Sequence, residues 1–364
     1  MLDHKRYTII LVSIIFIEAY LMLATTLYLQ PPTGDIASIS GYSENDFGWN
    51  QPKKTFANPT SPLQEAYNHY TDVLIVGDSF SFGGVFGMLN YPWQTFLTAS
   101  TGLSVSTISH YTTKTNPPSY DPKLIPAIIN SELFKKHPPK VFVLEVVERQ
   151  LHILPKFPGD CKAHSDIALN YDLKINPIPS LNPTTEVLRP FVKPSLSQQI
   201  GYSFKYWQTF FQFISRDSQA YIFELTTPKL FSSNRSDTLL VYEGDVKKQE
   251  WDDDRLKNIS CILLNMQNFI QANGKTLFVV MIAPDKLTAY SHYLKDGSMA
   301  TISAIERLKV DKALHLPRFD LPIQAKIDEG VVDVYLPNDT HWAYFGQQVA
   351  ADTLTKYLLQ FTSN

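Results

Sequence analysis

A serine and a histidine–aspartate pair stand far apart in this 364-residue chain, each in a segment that follows an apolar run. Gly77-Asp78-Ser79-Phe80-Ser81 follows the run 73–76, and Asp339-Thr340-His341-Trp342 follows the run 331–336. A serine hydroxyl is a weak nucleophile until a base takes its proton. His341 is the natural base, and Asp339 can orient its ring and stabilise the imidazolium that forms. The Asp-x-His spacing requires a turn, because alternate residues of a strand point the same way without touching. Asn338 and Asp339, after Pro337, are good turn formers. Trp342 would wall the site and keep water from the ring. Either motif alone arises by chance, and a lone serine after a strand is commonly a helix cap. The combination, with both halves behind strands, points to acyl transfer through a serine.

Both motifs then lie outside the carboxyl ends of strands, where α/β sheets place their chemistry. Hydrophobic periodicity predicts strands over 72–76, 103–109, 141–147, 276–282 and 331–335. It predicts helices over 92–100, 121–136, 252–273 and 343–359. That alternation implies an α/β fold of three layers around a parallel sheet of about five strands. Residues 155–250 break the rhythm with prolines at 155, 158, 177, 179, 183, 190 and 194 and an aromatic stretch over 202–221. This region reads as an inserted subdomain whose aromatic stretch packs on the core, lines a groove or touches a membrane. Residues 30–70, rich in Pro, Gly, Ser and Asn, read as a tether. The catalytic domain is expected over 71–364.

The N-terminus decides where that domain works. Residues 7–29 carry one charge, Glu18, over a length that spans a bilayer with some tilt. Lys5 and Arg6 precede the span and hold the start in the cytoplasm, so the bulk is exported. Glu18 costs roughly 2.5–3.5 kcal/mol at mid-span and suits a partner helix. A cleaved signal peptide is the alternative. The long apolar region and the poor cleavage site at Leu23-Ala24-Thr25 favour an uncleaved anchor. Cys161 and Cys261 fall on the exported side, where one disulfide and two buried thiols are both open. Sequons stand at Asn234, Asn258 and Asn338. A glycan on Asn338 would crowd Asp339, which favours a bacterial source.

Several functions are disfavoured. The net charge is −3 and no Lys/Arg block stands out, which argues against nucleic acid. Gly83-Gly84-x-x-Gly87 lacks the spacing and lysine of a phosphate loop. No His-Glu-x-x-His or His-x-His pair occurs, so neither a catalytic metal nor a cofactor is expected. Asp252-Asp253-Asp254 suits a helix start better than a metal site.

The paired motifs resemble the SGNH/GDSL hydrolase superfamily. Ser79 matches its early nucleophile, and Asp339 and His341 match its late acid and base. The usual late motif is Asp-x-x-His, whereas this chain has Asp-x-His. Asp-Thr-His-Trp followed by an amphipathic helix is similar to the alginate O-acetyltransferase (AlgJ/AlgX-like) branch. Two more segments agree: the strand over 141–147 ending in Glu148-Arg149, and Pro284-x-Lys286-x-x-x-Tyr290. The resemblance covers roughly 70–150 and 255–360. It implies an SGNH-hydrolase-like, flavodoxin-like sheet. It also implies an O-acetyltransferase in the bacterial inner membrane, with its catalytic domain in the periplasm. Ser79 would take an acetyl group supplied by a membrane-bound O-acyltransferase and pass it to an exported polysaccharide. A carbohydrate or lipid esterase with the same triad is the alternative, and a non-catalytic glycan-binding or scaffold subunit is the next. For the oxyanion, the Ser79 N–H is the expected donor. The superfamily's Gly and Asn donors have no match, since His110-Tyr111-Thr112 and Glu148-Arg149 stand in their places. Arg149 either stabilises an oxyanion or acidic sugar, or pairs with Glu145 or Glu148. Lys286 and Tyr290 either line the groove or are ordinary solvated loop residues.

Overall fold

The computed structural model describes residues 4–29, 34–51, 66–82, 93–112, 119–162, 173–178, 219–299 and 302–362. It also describes 53–55, 63–64, 185–187 and scattered positions between 197 and 207. The chain is α/β. Four parallel strands form its sheet: β1 (Val73–Gly77), β2 (Val105–Ser109), β3 (Val141–Val147) and β4 (Leu277–Ala283). Their order across the sheet is β2-β1-β3-β4. The direction of winding therefore reverses between β1 and β3, which opens a crevice at the carboxyl ends of those two strands. A two-residue stretch, Leu63–Gln64, adds a short parallel pairing on the outer edge of β2.

Valine, isoleucine and leucine dominate these strands because branched side chains suit a pleat buried on both faces. Alternation sorts the faces. Leu74, Val76, Phe142, Leu144, Phe278 and Val280 enter one apolar cluster, while Val73, Ile75, Val141, Val143, Val279 and Met281 enter another. The helices used below are α1 (His4–Leu29), α2 (Asp35–Ser40), α3 (Trp93–Thr101), α4 (Asp253–Gln271), α5 (Lys286–Tyr290), α6 (Asp320–Asp328) and α7 (Tyr344–Leu358). Leu256, Ile259 and Leu263 of α4 cover the first face, while α3, α6 and α7 cover the second. Asp252 opens α4 by accepting the Arg255 N–H at 2.8 Å, and Gly274, at φ 67°, follows its end. The single helix expected over 121–136 is two, Leu124–Asn130 and Glu132–Lys136. Ser131 takes extended backbone between them and caps the second through the Phe134 N–H.

The fifth strand expected over 331–335 does not form. Asp333 takes φ 56°, a left-handed conformation that interrupts an extended chain. Its carboxylate accepts the Ser232 N–H at 2.9 Å. An isolated antiparallel bridge, Tyr335 to Trp342, stands in the strand's place. His341 is therefore presented by a tight turn.

The segment expected to be a tether is folded over much of its length. Within it, α2 and a helical turn at Glu44–Phe47 bury Ile36, Ala37 and Phe47, and Trp49 beyond them is buried too. Ile36, Ala37 and Phe47 pack on Ala220 and Leu240 of an antiparallel hairpin, Ala220–Glu224 with Thr238–Tyr242. That hairpin belongs to the insertion over 155–250. Pro179, Pro183, Pro190, Pro194 and much of the aromatic stretch over 202–221 lie outside the described residues. A disulfide joins Cys161 to Cys261 and so ties the chain after β3 to α4. In α1, the stretch His4–Thr25 is long and apolar enough to cross a membrane. Near its end, the Thr25 hydroxyl accepts the Trp207 indole N–H at 2.9 Å.

Candidate active site

Ser79, Asp339 and His341 converge at the carboxyl end of β1. His341 Nδ1 lies 2.5 Å from Asp339 Oδ1, and His341 Nε2 lies 2.7 Å from Ser79 Oγ. An ionised carboxylate only accepts, so Asp339 fixes the ring proton on Nδ1 and leaves Nε2 to accept the serine hydroxyl. Ser79 is half-buried, whereas Asp339 and His341 are buried. The ring over the imidazole is Phe80, with centroids 4.7 Å apart, and Trp342 backs Phe80 at 4.9 Å. Trp342 is fully buried and so supports this wall from behind.

The serine loop is held from below by Asp78 and Glu145. The Asp78 carboxylate accepts the N–H of Phe80 at 2.9 Å and of Val147 at 2.8 Å, which clips the loop to the end of β3. Glu145 accepts the Asp78 N–H at 2.9 Å and the Ser81 hydroxyl at 2.7 Å. Gly77 is required here, because a Cβ would collide with Ser81 Oγ and the Glu145 carboxylate. Burial, followed by the Asp78 charge, raises the Glu145 pKa well above its ordinary value. Phe80 and Ser81 spend their N–H groups on Asp78. The Ser79 N–H donates to nothing among the described residues, as expected for a first-turn amide. The His110 N–H is not available for that role, since it donates to the Gly77 carbonyl at 3.0 Å. The His110 ring is buried, and burial lowers its pKa to about 4.

Lys286 and Tyr290 neither line a groove nor face solvent; both are fully buried. The Lys286 ammonium donates to the carbonyls of Leu336, Pro337 and Asp339 at 2.7, 2.9 and 3.3 Å. It thus caps the turn that presents His341. Burial lowers its pKa to about 8, against the pull of the Asp339 and Asp35 charges. The Tyr290 hydroxyl accepts the Tyr335 N–H at 3.4 Å, beneath the same turn. Asn338, the sequon position, is buried with its amide donating to Glu44 at 3.0 Å, so it presents no acceptor for a glycan.

Arg149 does form ion pairs, but not with the expected glutamates. Its guanidinium lies 2.7 Å from Asp285 and 3.4 Å from Asp245. These carboxylates outweigh burial and raise its pKa further. Glu148 and Asp285 instead share Lys248, each at 2.7 Å, in a buried network that includes Thr288. Asp245 and Lys248 come from the insertion, where periodicity offered no sign of them. Arg149 also lines a cavity of about 350 Å3 with Gln150, Tyr242, Glu243, Trp251 and Arg255.

Sequence reasoning missed Asp35 altogether. Its backbone N–H donates to Asp339 Oδ2 at 3.0 Å. Its carboxylate accepts the Thr340 N–H at 2.8 Å and the Thr340 hydroxyl at 2.6 Å. One Asp35 oxygen lies 3.7 Å from His341 Nδ1. No local pattern could have revealed a contact across 304 residues. Asp35, Asp339 and His341 could offer one ligand atom each to a cation. Both ring nitrogens of His341 are already engaged, however, so the cluster reads as a proton relay.

The electrostatics suit that relay. Burial pulls the His341 pKa down, but Asp339 and then Asp35 outweigh it, and the net shift is upward. Burial pushes Asp339 up, but His341 outweighs it and holds the carboxyl at about 2. Burial and the Asp339 charge raise Asp35. The arrangement can deprotonate a serine, stabilise the resulting imidazolium and return the proton. Comparisons with protein-family models, curated proteins and solved structures find no match to this chain.

Proposed function

We propose that this chain is a serine-dependent O-acetyltransferase acting on an exported polysaccharide at the outer face of a bacterial inner membrane. The observation that carries the reading is the unbroken Ser79–His341–Asp339 relay, set at the crevice where the sheet reverses its winding. The β2-β1-β3-β4 order supports an SGNH-hydrolase-like, flavodoxin-like domain, and the relay supports the resemblance to the alginate O-acetyltransferase branch. The helix α1 favours transfer over hydrolysis. Six residue steps, at most about 22 Å of chain, separate its last residue, Leu29, from Asp35 beside the triad. A donor delivered through the membrane, by a membrane-bound O-acyltransferase, would meet Ser79 close to the bilayer.

The chemistry runs in two halves. His341 Nε2 takes the Ser79 proton as Oγ attacks the acyl carbon of an ester or thioester donor. The tetrahedral oxyanion forms beside the Ser79 N–H. It collapses to an acyl-serine as His341 protonates the leaving group. In the second half His341 takes the proton of a sugar hydroxyl, which attacks the acyl-serine, and returns a proton to Ser79 Oγ. The cavity beside Arg149 lies at the carboxyl end of β3 and offers polar and aromatic groups to a sugar acceptor. Arg149 lines that cavity, and its charge opposes protonation of His341.

The test uses the purified full-length chain with an activated acetyl ester, with and without oligosaccharide acceptors. Acetylated sugar is expected, and Ser79→Ala should lower the rate by about a thousandfold or more. Release of acetate alone, with every acceptor tried, would move the reading to an esterase. Full acetylation by Ser79→Ala in a knockout strain would leave a scaffold or glycan-binding role.

A further inference from the structure

We propose that Asp35 is a positioning residue of the triad, and that through it the chain just behind the membrane helix completes the active site. The inference rests on the serine acyl-transfer reading and adds a residue that the reading does not require. Asp35 opens the short helix α2, and an acid in a first helical turn needs no special explanation. What the helix does not explain is where the residue's groups go. Its amide donates to the catalytic carboxylate, and both of its own oxygens accept from Thr340, the residue between Asp339 and His341. The approach is close on either side of it. A Cβ on Gly34 would collide with the Asn338 backbone, and the Ala37 N–H donates to the Asn338 carbonyl at 3.1 Å. The catalytic turn is thus gripped between α2 on one side and Lys286 on the other.

The grip has two consequences. The first is geometric: Asp339 keeps its Oδ1 on His341 because Oδ2 is occupied by the Asp35 amide. The second is electrostatic. A second carboxylate, 3.7 Å from Nδ1, favours the imidazolium that forms during transfer. The charged groups acting on His341 are Asp339 and Asp35, which favour its protonation, and Arg149, which opposes it. Lys286 faces the same carboxylates from α5.

The test compares wild type, Asp35→Asn and Asp35→Ala as full-length chains in detergent micelles. It measures the rate at which a fluorophosphonate probe labels Ser79 across a pH series, with thermal melts as the folding control. Asp35→Ala should slow labelling by about 10- to 100-fold, the scale expected when catalytic groups shift by a fraction of an ångström to one ångström. Asp35→Asn keeps the shape and loses the charge. It should slow labelling about 3- to 10-fold and move the acidic midpoint down by about half to one pH unit, because His341 loses a neighbouring anion. A merely structural residue would lower the melting point without moving that midpoint. If Asp35→Ala does not fold, Asp35→Asn decides. Wild-type labelling rate and an unchanged midpoint in Asp35→Asn would overturn the proposal while leaving the serine reading intact. Failure of wild type to label at Ser79 would overturn the serine reading itself.

Discussion

In the proposed reaction His341 can take a proton only when neutral, yet the carboxylates beside it favour its charged form. With its pKa raised above the ordinary 6.5, the neutral fraction grows as pH rises through the raised value. The acidic limb of the wild-type pH–rate profile for acyl-enzyme formation should therefore have its midpoint above pH 6.5. A midpoint below that would mean that burial, not Asp339, controls the ring. Lys286 poses a different problem, since it is a buried cation bonded to three carbonyls of the turn that presents His341. Lys286→Met fills the space but leaves those carbonyls without their donor, at a cost of about 1–3 kcal/mol. A urea melt should register that loss, and Ser79 labelling should slow with it. A stable variant with normal labelling would show that the turn holds itself. Of these residues the triad was legible in the chain, because nucleophile, acid and base are particular residue types behind particular strands. The supporting role of Lys286 was not, because a lysine shortly after a strand says nothing of what its ammonium will reach.

At the scale of elements, the end of β1 and the end of β3 are joined through two buried acids. Glu145 holds its proton more tightly in the folded chain than its ordinary value of 4.5 would allow. That preference stabilises the fold fully below the unfolded value and is lost as pH rises through the folded one. Glu145→Gln has no such proton to lose and retains groups for the bonds to Asp78 and Ser81. The stability of wild type relative to Glu145→Gln should therefore decline as pH is raised above the ordinary value of 4.5. Melting curves that stay parallel over that range would show that Glu145 is ionised in the native state. The strands themselves were readable, because apolar runs of branched residues have few alternatives in a chain of this size. The run over 331–335 had the same composition and formed no strand. Its Asp333 adopts a left-handed backbone and bonds Ser232, a tertiary contact that outweighs local preference.

Across the whole molecule, distant segments are tied to the sheet by a few long-range links. The disulfide closes a loop of sequence separation 100, and removing such a link typically costs about 2–5 kcal/mol. Reduction, or replacement of both cysteines by serine, should lower the unfolding free energy by that amount, measured by denaturant titration. Unchanged stability would mean that the insertion is held by its other contacts. The chain by itself singled out Ser79, Asp339 and His341, which the fold brings together, the parallel α/β alternation and a membrane-length helix. Each of these is written in residue type and local period. Only the tertiary structure decided that Cys161 and Cys261 pair and that Arg149 answers to Asp245 and Asp285. It alone turned the segment around Asp35 from loose tether into part of the site. The physical reason is range. Periodicity reports what a residue does with neighbours a few positions away. Asp339 is such a neighbour of His341, but Asp35 and Lys286, which hold their turn, reach it only after the chain has packed.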